Sequence, residues 1–208
     1  MSDNNKIVLV GYAGHGIVVA EAALTSNMNL QLYAELNKLK TNPFEIEYLG
    51  FEGADNFIGW NYDYEYILGI GDNQIRQKIG NLIFSKNKIL KNVFHNTASI
   101  SKTTKVGIGN FFARNVAINP LVEIGDYCIL NTGCIIEHEC KISNAVHIAP
   151  GVVLAGNVTV GANTFIGANA VVKQGITIGR NVIIGAGSVV IKDVLDNKKI
   201  VGNPSREI

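Results

Sequence analysis

The sequence predicts two joined folds, a small open α/β domain over residues 1–94 and a parallel β-helix over residues 95–208. Three observations carry this reading. An apolar residue stands at every sixth position through the second half. A second register, four residues further on, holds small or β-branched residues. The first half instead alternates buried-strand patterns with helical ones, punctuated by Gly-rich turns.

Stepping by six from Ile100 to Val190 meets sixteen apolar positions without a slip. The companion register runs from Val122 through Cys128, Cys134 and Cys140 to Val194, and includes Thr164 and Ser188. Both registers must point inward, while Gly, Asn and Asp gather between them, as in Val160-Gly161-Ala162-Asn163. Two inward residues per six describe a triangular coil of three hexapeptides. An α-helix would show an apolar period of 3.6 instead. Sixteen hexads make about five coils, a stack of roughly 25 Å. The open ends of such a stack need capping, by the N-terminal region below and the tail above. All three cysteines fall in the inward register, and their spacing matches no zinc site, so they read as core residues.

In the first half, Lys6 to Val10 reads as a buried strand. It leads into Gly11-Tyr12-Ala13-Gly14-His15-Gly16 and a helix from Ile17 to Leu24. Strand, glycine turn and helix together offer backbone N–H groups to a phosphate. A second strand, Leu30 to Ala34, ends at Glu35, where such folds place an acid facing a ribose. A third, Tyr66 to Ile70, meets Gly71-Asp72-Asn73 and a helix from Gln74 to Leu82. The stretch from Tyr48 to Tyr66 carries no readable motif. This unit either binds a nucleotide at its loop edge or serves as an α/β cap for the β-helix. The loop is G-x-x-G-x-G, which argues against a dinucleotide cofactor.

Eighteen basic residues against seventeen acidic leave a net charge of +1, without the Lys and Arg surplus that a nucleic-acid partner requires. The start MSDNNKIVLVG lacks the charged, apolar and cleavage segments of a leader, and no run is long enough for a membrane span. A cytoplasmic protein is expected.

Four histidines occur, and His138 and His147 lie inside the repeat. His138 sits two residues after the inward Ile136, at an outward turn position, between Glu137 and Glu139. Flanking carboxylates orient an imidazole and raise its basicity, which suits removal of a proton from an acyl acceptor. Turns between hexads expose N–H groups that suit a developing oxyanion. His147 either contacts a ligand or packs between subunits, and His95 reads as structural.

In order along the chain come the Gly-x-x-Gly-His-Gly loop, Ile70-Gly71-Asp72-Asn73 followed by Ile75-Arg76, Asn131-Thr132, Glu137-His138-Glu139-Cys140, His147-Ile148-Ala149-Pro150, Leu154-Ala155-Gly156-Asn157-Val158 and Gly202-Asn203-Pro204. This series resembles the bacterial sugar O-acyltransferases of the sialic-acid acetyltransferase type. Within them it is most similar to N-acetyltransferases acting on UDP-4-amino-4,6-dideoxy-sugars, as in bacillosamine synthesis. The resemblance implies a Rossmann-like domain plus a left-handed β-helix, a homotrimer with sites between subunits, and acetyl-CoA as co-substrate without a metal. It implies His138 as general base tuned by Glu139, with direct transfer to a C4 amine. The nucleotide-linked sugar would meet Ala13, Gly14, His15, Glu35, Gly71 and Asn131, and CoA would meet His147, Ala168 and Ala186. Where UDP-sugar enzymes of this type carry two adjacent aspartates, this chain has Glu35-Leu36, so dTDP- and GDP-linked sugars stand beside the favoured UDP-linked ones. Sugar O-acetylation and a non-catalytic sugar-nucleotide sensor are the competing readings. A metal-dependent β-helix enzyme ranks lowest, since the repeat supplies only two histidines.

Overall fold

The structure is a computed structural model that describes residues 5–208. The expectation of no leader rests partly on residues 1–4, which lie outside the described residues.

The first half forms a five-stranded parallel sheet from β1 (Ile7–Val10), β2 (Leu30–Ala34), β3 (Glu47–Gly50), β4 (Glu65–Leu68) and β5 (Ile89–Leu90). The strand order is β3-β2-β1-β4-β5. β1 and β4 are buried along their whole length because helices α1 (His15–Thr25) and α2 (Asn73–Ser85) cover the sheet. The motif-free stretch from Tyr48 holds most of β3 and a 3-10 turn at Ile58–Asn61. β3 eluded the pattern reading because it is an edge strand, EYLG, half-exposed and without an apolar run.

Strand order reverses between β1 and β4, and such a reversal opens a crevice at the carboxyl ends of the strands. Here the two loops touch. A Cβ on Gly16 or on Gly69 would lie 2.0 Å from the Gly11 carbonyl oxygen, so only glycine lets the turns after β1 and β4 approach.

From Val93 the chain winds into a left-handed parallel β-helix of two-residue strands, each pairing with the strand 18 residues on, as Ile129 does with His147, until the last coil, where Ile183 pairs with Lys199, 16 residues on. Three faces result. The docking face (Val93–Phe94, Phe111–Phe112, Ile129–Leu130, His147–Ile148, Phe165–Ile166, Ile183–Ile184) carries the α/β domain. Next in each coil comes an aliphatic face, whose outward residues include Ala117, Ile135, Val153, Val171 and Val189. The third face is polar, with outward Lys105, Glu123, Lys141, Thr159 and Thr177. Both inward registers are buried over most of their length, and the three cysteines are fully so. The buried hydroxyls are satisfied: Thr164 Oγ1 donates to the Gly179 carbonyl at 2.7 Å, and Ser188 Oγ accepts from the Gly202 N–H at 3.2 Å.

A third register emerges that the apolar pattern does not reveal. Every sixth residue from Gly109 to Gly187 has positive φ. Most are Gly or Asn, but Leu121, Tyr127, Glu139 and Ala145 adopt the same left-handed turn, which costs a residue with a Cβ.

Arg76 of α2, 1 % exposed, joins the two halves. Its guanidinium donates to the carbonyls of Tyr127 (2.7 Å), Ala145 (3.1 Å) and Gly71 (2.9 Å) and to Asn73 Oδ1 (2.8 Å). Burial lowers its pKa to about 10, so it stays charged at neutral pH. At the top, Lys199–Val201 continues the docking face, and Arg206–Glu207 pairs antiparallel with it, closing the open edge. Among the described residues no helix is long and apolar enough to cross a membrane.

Candidate active site

A cavity of about 470 Å³ opens at the crevice between β1 and β4. Gly11, Ala13, His15, Glu35, Phe51, Glu52 and Gly71 stand among its walls, which unites four of the residues expected to meet the nucleotide sugar. Gly14, the N-cap of α1, has open space where a Cβ would stand, and no side chain caps the helix start. Gly16 and Ile17 donate back to the Ala13 and Gly14 carbonyls at 2.8 and 3.2 Å, while the N–H groups of Gly14 and His15 have no partner among the described residues and suit a phosphate. Glu35 also braces the loop beside it. Its carboxylate accepts the N–H of Tyr12 (3.1 Å) and of Leu36 (3.0 Å), which pins the glycine turn to the end of β2. Glu52 was not singled out from the sequence, because it follows the edge strand that carried no motif.

His15 leads from this cavity to the docking face. Its ring lies 6.1 Å from that of His147, which also packs edge-on against Phe165 at 5.0 Å. Burial, then the charge of Arg76, holds His15 down at about 4. The same causes, joined by His15 itself, hold His147 at about 3. Both rings are neutral at physiological pH. Asn131 lies within 3.3 Å of His147 Nε2 and is absent from the cavity walls. Ala168 and Ala186 occupy equivalent turn positions of successive coils, on the same edge as Asn131, between docking and aliphatic faces.

His138 and Glu139 lie elsewhere, on the edge between the aliphatic and polar faces. The imidazole is exposed, and its Nδ1 lies 3.0 Å from Glu139 Oε2. A carboxylate that accepts from Nδ1–H leaves the Nε2 lone pair free to take a proton. Glu139 reaches the ring from one of the left-handed turn positions, with φ 61°. Of the two flanking acids only Glu139 engages it; Glu137 makes no bond to the ring among the described residues. The ring rests on Gly156, one coil up, where a Cβ would lie 2.5 Å from His138 Cε1. Cys140, two residues away, is turned into the core, donates to the Ala155 carbonyl at 3.2 Å, and has its thiol pKa pushed up by burial. Cys128 and Cys134 are pushed up to about 12. None offers a thiolate nucleophile. Among the described residues no group of three or more His, Cys, Asp or Glu could hold a metal ion.

Within one chain, then, the base-like histidine and the nucleotide-type cavity do not meet. The cavity belongs to the docking face, and His138 crowns the opposite edge of the triangular prism.

Period-six coils with an outward histidine–carboxylate pair define an acyltransferase of the hexapeptide-repeat class. Family comparisons agree. Residues 6–83 match the PglD N-terminal domain, residues 139–174 the bacterial transferase hexapeptide (six repeats), and residues 157–192 the hexapeptide repeat of succinyl-transferase. Perosamine N-acetyltransferase from Caulobacter crescentus, solved as a histidine-to-asparagine variant with CoA and GDP-perosamine, is 31% identical. The match covers 98% of this chain and 97% of that one, with a TM-score of 0.92. The acetyltransferase domain of PglB from Neisseria gonorrhoeae, solved with acetyl coenzyme A, is 26% identical over 99% of this chain and 100% of that one, with a TM-score of 0.92. WeeI from Acinetobacter baumannii shares the fold at 23% identity, over 97% and 99% of the two chains, with a TM-score of 0.84. The chain belongs to the hexapeptide-repeat acetyltransferases with a PglD-type N-terminal domain.

Proposed function

We propose that this protein transfers the acetyl group of acetyl-CoA to the C4 amine of a nucleotide-linked 4-amino-4,6-dideoxy-sugar destined for a surface glycan. The observation that carries the proposal is the His138–Glu139 pair on the rim of an acyltransferase β-helix, in a chain that also presents a nucleotide-type cavity. The relatives solved with acetyl-CoA, or with CoA and GDP-perosamine, support it.

In this reading the amine lone pair attacks the thioester carbonyl, and His138 Nε2 takes the proton that the nitrogen must lose. Glu139 holds the ring and stabilises the imidazolium. The Gly156 N–H has no partner among the described residues and lies beside the ring, so it serves the developing oxyanion. The C–N bond forms, the C–S bond breaks, and the thiolate leaves as free CoA with the proton returned by His138. The buried cysteines play no part, so no acyl-enzyme forms. CoA lies along the edge of Ala168 and Ala186, whose small side chains leave room for it, with His147 at the thioester end.

The separation of cavity and base calls for a homotrimer in which His138 of one subunit completes a neighbour's site. The outward aliphatic column supplies the surface to bury, whereas the polar face remains in water. UDP-, dTDP- and GDP-linked sugars are all acceptors to be tested. Acetyl-CoA and nucleotide sugars are cytoplasmic metabolites, so the proposal includes that location.

Thiol release from acetyl-CoA, measured against UDP-, dTDP- and GDP-linked 4-amino-dideoxy-sugars and sialic acid, tests the proposal. Turnover with one amino sugar, lost by on the order of 10²-fold or more in His138→Ala at little changed KM, is expected. Turnover on sialic acid alone points to O-acetylation, and binding without thiol release points to a sensor.

A further inference from the structure

The cavity at the carboxyl edge of the sheet has a direction. The strand order places the turn after β1 centrally, Glu35 at the end of β2, and Phe51 and Glu52 beyond the end of β3, the outer edge. Adjacent strands are spaced so that β1 and β3 are about 10 Å apart. That interval spans a ribose, so a diphosphate at the glycine turn and a ribose at Glu35 bring the base to Phe51 and Glu52.

Glu52 is unusual there. It is 7 % exposed, lines the cavity, and its Oε2 has no hydrogen-bond partner among the described residues. A buried carboxylate oxygen left unmatched is costly, and a ligand that matches it recovers that cost. Burial raises the carboxyl pKa, and the nearby Glu35 adds to the rise. Neighbouring donors on a ligand would hold the anion. An ionised carboxylate only accepts, through two oxygens side by side. Guanine alone among the common bases presents two adjacent donors, N1–H and the N2 amine. Uracil and thymine offer one N–H between two carbonyls, and adenine and cytosine place an acceptor next to their single amine.

Building on the nucleotide-sugar reading above, we propose that Glu52 is the base-selecting residue and that the nucleotide it selects is a guanosine diphosphate. Its carboxylate takes the N1–H and N2–H of guanine, while Phe51 supplies an apolar wall. Leu36, 62 % exposed and without a polar group, leaves no second acceptor beside Glu35 to read a pyrimidine.

The test is calorimetric binding of GDP, IDP, UDP and dTDP to the full chain and to Glu52→Gln. The wild-type chain is expected to bind GDP at least about 10-fold more tightly than UDP or dTDP, with IDP, which lacks the N2 amine, in between. Glutamine replaces one acceptor by a donor, so the variant is expected to lose on the order of 10- to 100-fold for GDP while UDP binding holds or improves. Held UDP binding also shows that the variant is folded. Tighter wild-type binding of UDP or dTDP overturns the guanine assignment and leaves the acetyltransferase reading standing. A Glu52→Gln variant that weakens every nucleotide equally, or none, overturns the role of Glu52. Failure of all four nucleotides to bind the wild-type chain overturns the nucleotide-sugar reading itself, and this inference with it.

Discussion

At the scale of single residues, His138 depends on two neighbours that act differently. Glu139 was legible in the sequence, because an acid next to a histidine in an outward turn is a local pattern. The contact of Gly156 with the ring was not, although Gly156 stands in one of the motifs, since it arises only when coils stack and bring residues 18 apart together. Gly156→Val is expected to displace the imidazole and lower kcat by on the order of 10²-fold while nucleotide affinity, read by calorimetry, stays unchanged. Glu139→Gln keeps the turn and a hydrogen-bond acceptor but removes the charge that steadies the imidazolium, so a smaller loss in kcat is expected, with KM little changed. His15 and His147 make a separate prediction. Their folded pKa values, about 4 and about 3, lie below the ordinary value of 6.5. The unfolded chain therefore binds protons that the folded one refuses, and stability falls as pH drops below about 6.5. At pH 5 each histidine accounts for about 2 kcal/mol of that loss. Urea melts between pH 7 and pH 5 check this, and His147→Asn should flatten the slope. An unaltered slope would mean that the ring is charged in the folded chain.

At the scale of elements, the strands that sequence pattern located are those with mostly buried apolar residues, such as β1 and β2. β3 was illegible because it is a half-exposed edge strand without an apolar run, and the buried Glu52 that follows it went unnoticed with it. α2 was legible, but its role as the rivet between halves was not. Arg76 reads as an ordinary helical cation until the turns at Tyr127 and Ala145 are brought beneath it. Arg76→Leu leaves several buried carbonyls unpaired and is expected to destabilise the chain by about 3–5 kcal/mol, measured by chemical denaturation. Asp72→Ala removes the α2 cap, in which the Asp72 carboxylate accepts the Ile75 N–H at 2.9 Å. It should cost only about 1 kcal/mol. If the two losses proved equal, the guanidinium would not be the main tie between domain and β-helix.

At the scale of the whole molecule, the period of six made the β-helix legible from end to end, because every coil repeats the same inward demand. The separation of the cavity from His138 was not legible in it, for no periodicity states which face the α/β domain will cover. The proposed trimer makes a direct prediction. Ala13→Glu puts a charge into the nucleotide cavity, and His138→Ala removes the base from the far edge; each alone should be inactive. Co-expressed in one cell, the two should form mixed assemblies in which an intact cavity meets an intact neighbouring histidine, restoring thiol release to a fraction of the wild-type rate. Continued silence in assemblies shown by mass to be mixed would mean that each chain works alone. Val171→Asp on the aliphatic face should yield smaller particles by light scattering.

The 18-residue spacing also dictates how such a chain changes length. Removal of a single hexad above His147 would swing every later residue round by a third of a revolution, carrying Ala168 and Ala186 off their edge and the tail off its own. Removal of a complete coil keeps the phase and merely shortens the column by one storey. Insertions and deletions tolerated by this scaffold should therefore come in whole storeys, or be confined to loops that bulge from an edge without entering the count.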